Sequence, residues 1–269
     1  MRVFVTGASG FIGSAVVPEL LAAGHQVLGL ARSEESARAL AAAGAGVQRG
    51  SLDDLRSLQS GAEASDGVIH LAYIHDFSQM AAAAQADRQA IAALGSVLEG
   101  SGRPLVIASG VLGLATGCVA TEHDRPDQAV HPRMAAAQAT LDLAAQNVRS
   151  SVVRLAPTVH GAGDHGFIAV LVSIAREKGV SGYIGDGSNH WPAVHRLDAA
   201  RLFRLALEQA PAASVLHGVA EEGVPLRAVA EVIGRHLNLP IVSIPPSRLA
   251  SISAGWGCFW EQMCRPRTR

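Results

Sequence analysis

Gly7, Gly10 and Gly13 form G-x-x-G-x-x-G within "VFVTGASGFIGSAVVPELLAAG", between an apolar run and a helical pattern. Only glycine allows the tight turn and close backbone approach that a pyrophosphate requires, and the helix N-terminus that follows favours its charge. The spacing therefore predicts a dinucleotide cradle made of Gly7, Ser9, Gly10, Phe11, Ile12 and Gly13. Such a cradle shows what is bound and leaves the reaction to other side chains. Those are few in kind: Lys178 is the only lysine of the chain, and Tyr73 and Tyr183 are its two tyrosines.

The end of the second strand decides which dinucleotide fits. An acid there would accept hydrogen bonds from the adenosine ribose. Here "GLARSEES" puts Arg32 and Ser33 at that place. A guanidinium and a hydroxyl suit a 2′-phosphate, which favours NADP(H) over NAD as the cofactor. A solvated loop cation is the plain alternative for Arg32.

These residues need a scaffold, and strand-like and helix-like segments alternate through the first half of the chain. "VFV" leads into a helix from about Gly13 to Ala23, and "QVLGLA" is a second strand. "SEESARALAAAG" is helical, with Ser33 as cap and Gly44 as stop. "VQRGSLDD" reads as a short strand and turn, "GVIHLAY" as a fourth strand, Met80 to Glu99 as a long Ala-rich helix, and "PLVIASG" as a fifth strand. "RMAAAQATLDLAAQN" is a further helix and "SSVVRLAPTVHG" a further strand. Near-continuous apolar strands between helices indicate an α/β fold, a Rossmann-type doubly wound parallel sheet covered on both faces. After Pro157 the rhythm loosens. The segment "GYIGDGSNHWPAVHRLD" is loop-rich, and "AARLFRLALEQ" is an amphipathic helix that Asp198 can cap. The next helix, in "PLRAVAEVIGRHLNLP", has Leu226, Val229, Val232, Ile233 and Leu237 on one face. The expected domains are a dinucleotide-binding domain over 1–156, a smaller C-terminal substrate lobe over 157–250, and an atypical tail over 251–269.

Composition narrows the class of partner. The chain has 269 residues, 49% of them hydrophobic and 17% charged, which suits a folded domain with a substantial core. A net charge of -1 gives no electrostatic reason to expect nucleic acid or an anionic membrane as partner. The apolar stretches are too short and broken for a membrane span, and no signal-peptide pattern precedes the first strand. Cys118, Cys258 and Cys264 are odd in number and lack metal-ligand spacing, so a reducing, cytoplasmic setting is expected.

In the order of its motifs the sequence resembles the extended or atypical short-chain dehydrogenases/reductases, the NAD-dependent epimerase/dehydratase-like group. "TGASGFIG" resembles the dinucleotide loop of that family, and "GSLDDLRSL" its adenine-side turn, which implies Ser51 and Leu52 near the adenine. "VIHLAY" resembles the segment after the fourth strand, which implies Leu71 and Ala72 beside the ribose and nicotinamide. "VIASGVLG" falls where the family carries its catalytic serine or threonine, which makes Ser109 the candidate, also facing the cofactor. "VVRLAPTVHGAGDHG" and "WPAVHRLDAARL" resemble the later strand and the substrate-lobe segment.

The departure lies at the centre of the family's chemistry. Its tyrosine moves the proton on the substrate oxygen, and its lysine, four residues on, lowers the tyrosine pKa and holds the nicotinamide ribose. Counting back from Arg154, those positions are Arg133 and Ala137. Tyr73 is followed at that spacing by Phe77 and Tyr183 by Gly187, so Tyr-x-x-x-Lys cannot be written anywhere in this chain. Several residues could substitute. Tyr73 follows the fourth strand at the ligand-binding end, and His75 and Asp76 could tune a donor there; packing under a loop and solvation are the plain readings. Ser109 could bond a carbonyl oxygen or simply end a strand. Arg133 could polarise a carbonyl or hold a carboxylate, though a guanidinium is a poor acid, or it could be a surface side chain. His160, His165, His190 and His195 gather in the loop-rich part without a metal-ligand pattern, so no metal is expected. Trp191 and Phe167 are read as core packing before pocket wall.

The tail, "SISAGWGCFWEQMCRPRTR", follows neither period. Read one frame over with suitable codons, its central stretch can become "WLGLFLGADVPA", so a frameshift is the expected origin, testable by resequencing. The expected activity is NADP(H)-dependent reduction of a carbonyl on a small organic substrate. A catalytically silent NAD(P)-binding sensor is the alternative, with a nucleotide-sugar epimerase behind it. The expected partners are a small carbonyl or alcohol and a second copy of the chain in a homodimer.

Overall fold

The computed structural model describes residues 1–76, 79–112, 114, 119–125 and 133–248. The tail over 251–269 and all three cysteines lie outside the described residues. Strand β1 (Arg2–Thr6) is buried from its second residue on, the pattern of a strand covered on both faces. It leads through the glycine loop to helix α1 (Gly13–Ala22) and then to β2 (Gln26–Ala31). Helix α2 (Glu34–Ala42) is capped by Ser33, whose hydroxyl accepts the Ser36 N–H at 3.1 Å. After β3 (Gly46–Arg49) comes α3 (Leu55–Glu63), a helix that the sequence reading leaves unassigned between the turn of "VQRGSLDD" and the fourth strand. It is short, and only Leu55, Leu58 and Ala62 mark its apolar stripe. Asp54 caps it by accepting the Ser57 N–H at 3.2 Å, and Gly61 lets it lie against the Phe4 ring.

β4 (Gly67–His70), α4 (Met80–Leu98), β5 (Pro104–Gly110), α5 (Arg133–Asp142) and β6 (Arg149–Leu155) follow. Later in the chain, α7 (Arg196–Gln209) and β10 (Ser214–Gly218) complete a seven-stranded sheet, ordered β10-β6-β5-β4-β1-β2-β3. All its pairings are parallel. Helices α1, α2 and α7 cover one face and α3, α4 and α5 the other, with α1 packed on α7 and α4 between α3 and α5. Phe4, Leu58, Leu94, Leu98, Leu105 and Val152 are fully buried in the core beneath the second face. This is the doubly wound Rossmann-type sheet.

Contacts divide the chain into two units. The first holds Met1–Gly110, Arg196–Gly218 and the described residues of Asp127–Leu155. The second holds Ala156–His195 with the described residues of Val111–Pro126 and from Val219 onward. The sequence reading draws one boundary after 156; in the structure α7 and β10 return to the first unit. A parallel partner for β6 needs a crossover helix, and α7 is that helix.

The second unit contains β7 (Thr158–His160), α6 (Phe167–Lys178), β8 (Ser181–Ile184), β9 (His190–His195), β11 (Glu221–Pro225), α8 (Leu226–Leu237) and β12 (Ile241–Ile244). β7 pairs parallel and β11 antiparallel with β9, while β12 pairs parallel with β8. The segment read as loop-rich therefore contains two strands. α7 starts at Arg196, so Asp198 lies in its first turn and is not its cap. In α8, Leu226, Ala230 and Ile233 face inward, whereas Val232 is exposed.

Candidate functional site

The strand order reverses direction between β1 and β4, and open α/β sheets bind ligands at the carboxyl ends of such a pair. The tip of β1 is Thr6 and the tip of β4 is His70, with Leu71 and Ala72 just beyond. Gly7 has φ +65° and is pressed onto that segment: a Cβ on it would lie 2.7 Å from the Ala72 nitrogen. A Cβ on Gly13 would lie 2.1 Å from the Gly7 carbonyl oxygen. The loop is folded so tightly that only glycine fits, and it delivers the N-terminus of α1 to the crevice. α2 and α3 are capped by side chains, but α1 has no side-chain cap and no acid in its first turn. An N-terminus without a side-chain cap or an acid suits a pyrophosphate. Phe11 flanks the loop with the Arg196 guanidinium 5.3 Å from its ring centre, and Ser9 and Gly10 are exposed.

Beneath the crevice runs a buried polar chain. Asp87, on the inner face of α4, lies 3.1 Å from Nε2 of His70. Nδ1 of His70 is 2.8 Å from Thr6 Oγ1, which accepts the Ala72 N–H at 3.2 Å. All three residues are at most 3% exposed. The carboxylate only accepts, so Nε2 carries the proton and Nδ1 accepts from the Thr6 hydroxyl. Every group in the chain is satisfied, and its last bond holds the backbone against which Gly7 packs. The sequence carried a signal for it: a histidine inside the apolar run "GVIHLAY" and an acid in an Ala-rich helix.

At the end of β2, Arg32 is exposed, and Ser33 spends its hydroxyl on the α2 cap, also donating to Ser36 Oγ at 3.0 Å. The neighbouring strand adds a residue the sequence reading missed. Arg49 is the register partner of Ala31, donates to the Ser33 carbonyl oxygen at 3.1 Å and pairs with the Glu34 carboxylate. Ser51 and Leu52 follow β3, half-buried, with Leu52 packed on the core.

At the end of β5, Ser109 is 3% exposed, and among the described residues its hydroxyl has no hydrogen-bond partner. Its register partner on β6 is Arg154, 4% exposed, whose own partner on β10 is His217. Ser109, Arg154 and His217 thus make a row across three strands, of which the sequence reading named only Ser109 as a site residue. Tyr73 is half-buried and meets His75 edge-on, with ring centroids 5.2 Å apart. Arg133 opens α5, its side chain lying outside the described residues, and Ala137 is buried.

In the second unit, His160 and His195 are register partners with ring centroids 5.4 Å apart. His165 lies in the loop before α6 and His190 at the start of β9. Among the described residues, no group of three or more His, Cys, Asp or Glu is arranged to hold a metal ion. Trp191 and Phe167 stack at 4.0 Å and, with Leu226, form the core of this unit. No helix among the described residues is long and apolar enough to cross a membrane.

Comparison with known proteins agrees with this geometry. The sequence model of the "NAD dependent epimerase/dehydratase family" matches residues 3–216. The "Uncharacterized protein C2A9.02" of Schizosaccharomyces pombe is 51% identical over 91% of this chain and 83% of its own length. The "Uncharacterized protein YLL056C" of Saccharomyces cerevisiae is 45% identical over 96% of this chain and 88% of its own. Among solved structures, the fold is similar to that of gox2253, with TM-score 0.76 and 21% identity over 99% of this chain and 85% of the other. It is also similar to that of the UDP-glucose 4-epimerase of Thermus thermophilus, solved with NAD. There the TM-score is 0.69 and the identity 20%, over 91% of this chain and 87% of the other.

Proposed function

The chain belongs to the NAD dependent epimerase/dehydratase family, and from that premise we propose that it binds NADP(H) and reduces a carbonyl of a small organic substrate. The observation that carries the cofactor reading is the cradle: Gly7 and Gly13 leave no room for a Cβ, and the uncapped N-terminus of α1 stands at the switch point. Gly7, Gly10 and Gly13 would hold the pyrophosphate, Ser51 and Leu52 the adenine side, and Leu71 and Ala72 the nicotinamide ribose. Arg32 supports the 2′-phosphate, since it stands where an acid would otherwise take the ribose.

The nicotinamide, when bound, supplies the hydride. The chain must orient the carbonyl and stabilise the oxygen on which charge develops. The buried hydroxyl of Ser109, free of protein partners among the described residues, is suited to donate to that oxygen. Tyr73, at the rim of the same sheet edge, is the candidate proton donor, and Arg133 a positive charge at the start of α5.

Purified protein should oxidise NADPH when offered a panel of ketones and aldehydes, followed at the nicotinamide absorbance. A second reading is favoured by one fact, that Lys178 is the only lysine: the protein would then be an NADP(H)-binding sensor without turnover. Tight NADPH binding with no turnover across the panel selects it. A nucleotide-sugar epimerase stands behind both, because the family's tyrosine and lysine serve that reaction too.

A further inference from the structure

The face of the first unit at the ends of β2 and β3 carries two guanidinium groups, not one. Arg32 follows β2 directly, and Arg49 ends β3 beside Ala31. The Arg49 side chain is exposed, yet its guanidinium is tied back onto the chain. One of its nitrogens donates to the Ser33 carbonyl oxygen at 3.1 Å and the other to the Glu34 carboxylate, which folds its planar fork over the Ser33–Glu34 step. That step is the entry to α2, where the partial positive charge of the helix also falls.

We infer that Arg49 is a second ligand of the cofactor 2′-phosphate, and that the Glu34 carboxylate is an internal stand-in that the phosphate displaces. The inference rests on the NADP(H) reading and adds to it a residue and a mechanism of selectivity. A carboxylate and a phosphate present the same paired oxygens to a guanidinium, so one can replace the other without moving the arginine. The Arg49–Glu34 pair is half-exposed, with side-chain exposures of 51% and 68%, so water screens it and it opens at little cost. A dianionic phosphate held between Arg32 and Arg49 gains more than the carboxylate it replaces. NADH, with only ribose hydroxyls there, cannot drive the exchange and meets Glu34 still seated. The pair therefore acts as a filter: Glu34 weakens NADPH by competition, and Arg49 repays the phosphate alone.

The test is a set of fluorescence titrations of NADPH and NADH on the full-length protein and its variants. Arg49→Ala should weaken NADPH by about tenfold and change NADH less than twofold. Glu34→Gln, which keeps the shape of the side chain and removes its charge, should tighten NADPH severalfold and leave NADH unchanged. Combined with Arg49→Ala, it should lose most of that gain. Arg32→Ala separates this inference from the reading beneath it. If Arg32→Ala abolishes the preference for NADPH while Arg49→Ala leaves it intact, the second ligand is refuted and the phosphate reading stands. If neither variant distinguishes NADPH from NADH, the phosphate reading itself falls, and this inference with it. Glu34→Gln weakening NADPH would refute the stand-in role, whatever Arg49 does.

Discussion

Thr6 Oγ1 lies 2.8 Å from His70 Nδ1, joining the tips of the two strands between which the sheet order reverses. The bond belongs to a chain from Asp87 to the Ala72 backbone, so an acid on α4 fixes the wall of the crevice without reaching it. Asp87→Ala should cost about 3 kcal/mol of stability, because it leaves a buried imidazole nitrogen unsatisfied. Asp87→Asn keeps an acceptor for Nε2 and should cost less. Urea unfolding measures both, and NADPH titration should show weaker binding in the same order. Equal stability for wild type and Asp87→Ala would refute the role of the chain.

Gly7 and Gly24 both have positive φ, +65° and +82°, but differ in surroundings. Gly7→Ala drives a methyl group into Ala72, whereas a methyl group on Gly24 meets nothing within 4 Å. Gly24→Ala should cost only the left-handed strain, about 1 kcal/mol, and leave dinucleotide binding unchanged. Gly7→Ala should abolish binding and cost more. Paired titration and thermal melts of the two variants check this.

Ser109→Ala removes a buried hydroxyl that no described protein group satisfies. Its melting temperature should equal or exceed that of wild type, since a desolvated polar group is deleted at no loss of a bond. Turnover of a carbonyl substrate should fall by about tenfold or more through loss of the oxygen-binding donor. A variant that melts lower and turns over normally would make Ser109 a structural residue.

Glu208 ties α7 to the turn after α1. Burial pushes its carboxyl up, but hydrogen bonds from His25 and Arg204 outweigh that and hold it below the ordinary carboxylate value. The folded group therefore stays ionised where the unfolded one has taken a proton. Its stabilisation is present above the unfolded value and is lost as pH falls through the folded one. Thermal melts from about pH 7 to about pH 3 should show a steeper acid decline for wild type than for Glu208→Gln. At neutral pH the variant should be less stable by roughly 0.5–1 kcal/mol, as befits a partly screened network.

The parts legible in the sequence were those with a local cause. Gly7 to Gly13 announced the cradle, Ser33 announced the α2 cap, and the apolar strands announced a parallel sheet. What stayed hidden depends on long-range pairing. Nothing local says that Arg49 lies beside Ala31, or that Ser109, Arg154 and His217 share a row, because register is set by the whole sheet. α3 was missed because a nine-residue helix with a narrow apolar stripe is set by its cap and by the Phe4 ring beneath Gly61. Asp87 carries no local sign of burial in its helix of alanines, because its partner His70 lies 17 residues away on another element.

The late return of β10 has a consequence for synthesis. β6 ends at Leu155 and its outer neighbour begins at Ser214, so about 60 residues separate them. At ribosomal rates of about 5–20 residues per second, that edge waits roughly 3–12 s for its partner. During that interval β6 stands as an unpaired edge strand, the kind that recruits neighbouring chains. Slowing translation between the two strands should therefore lower the soluble yield.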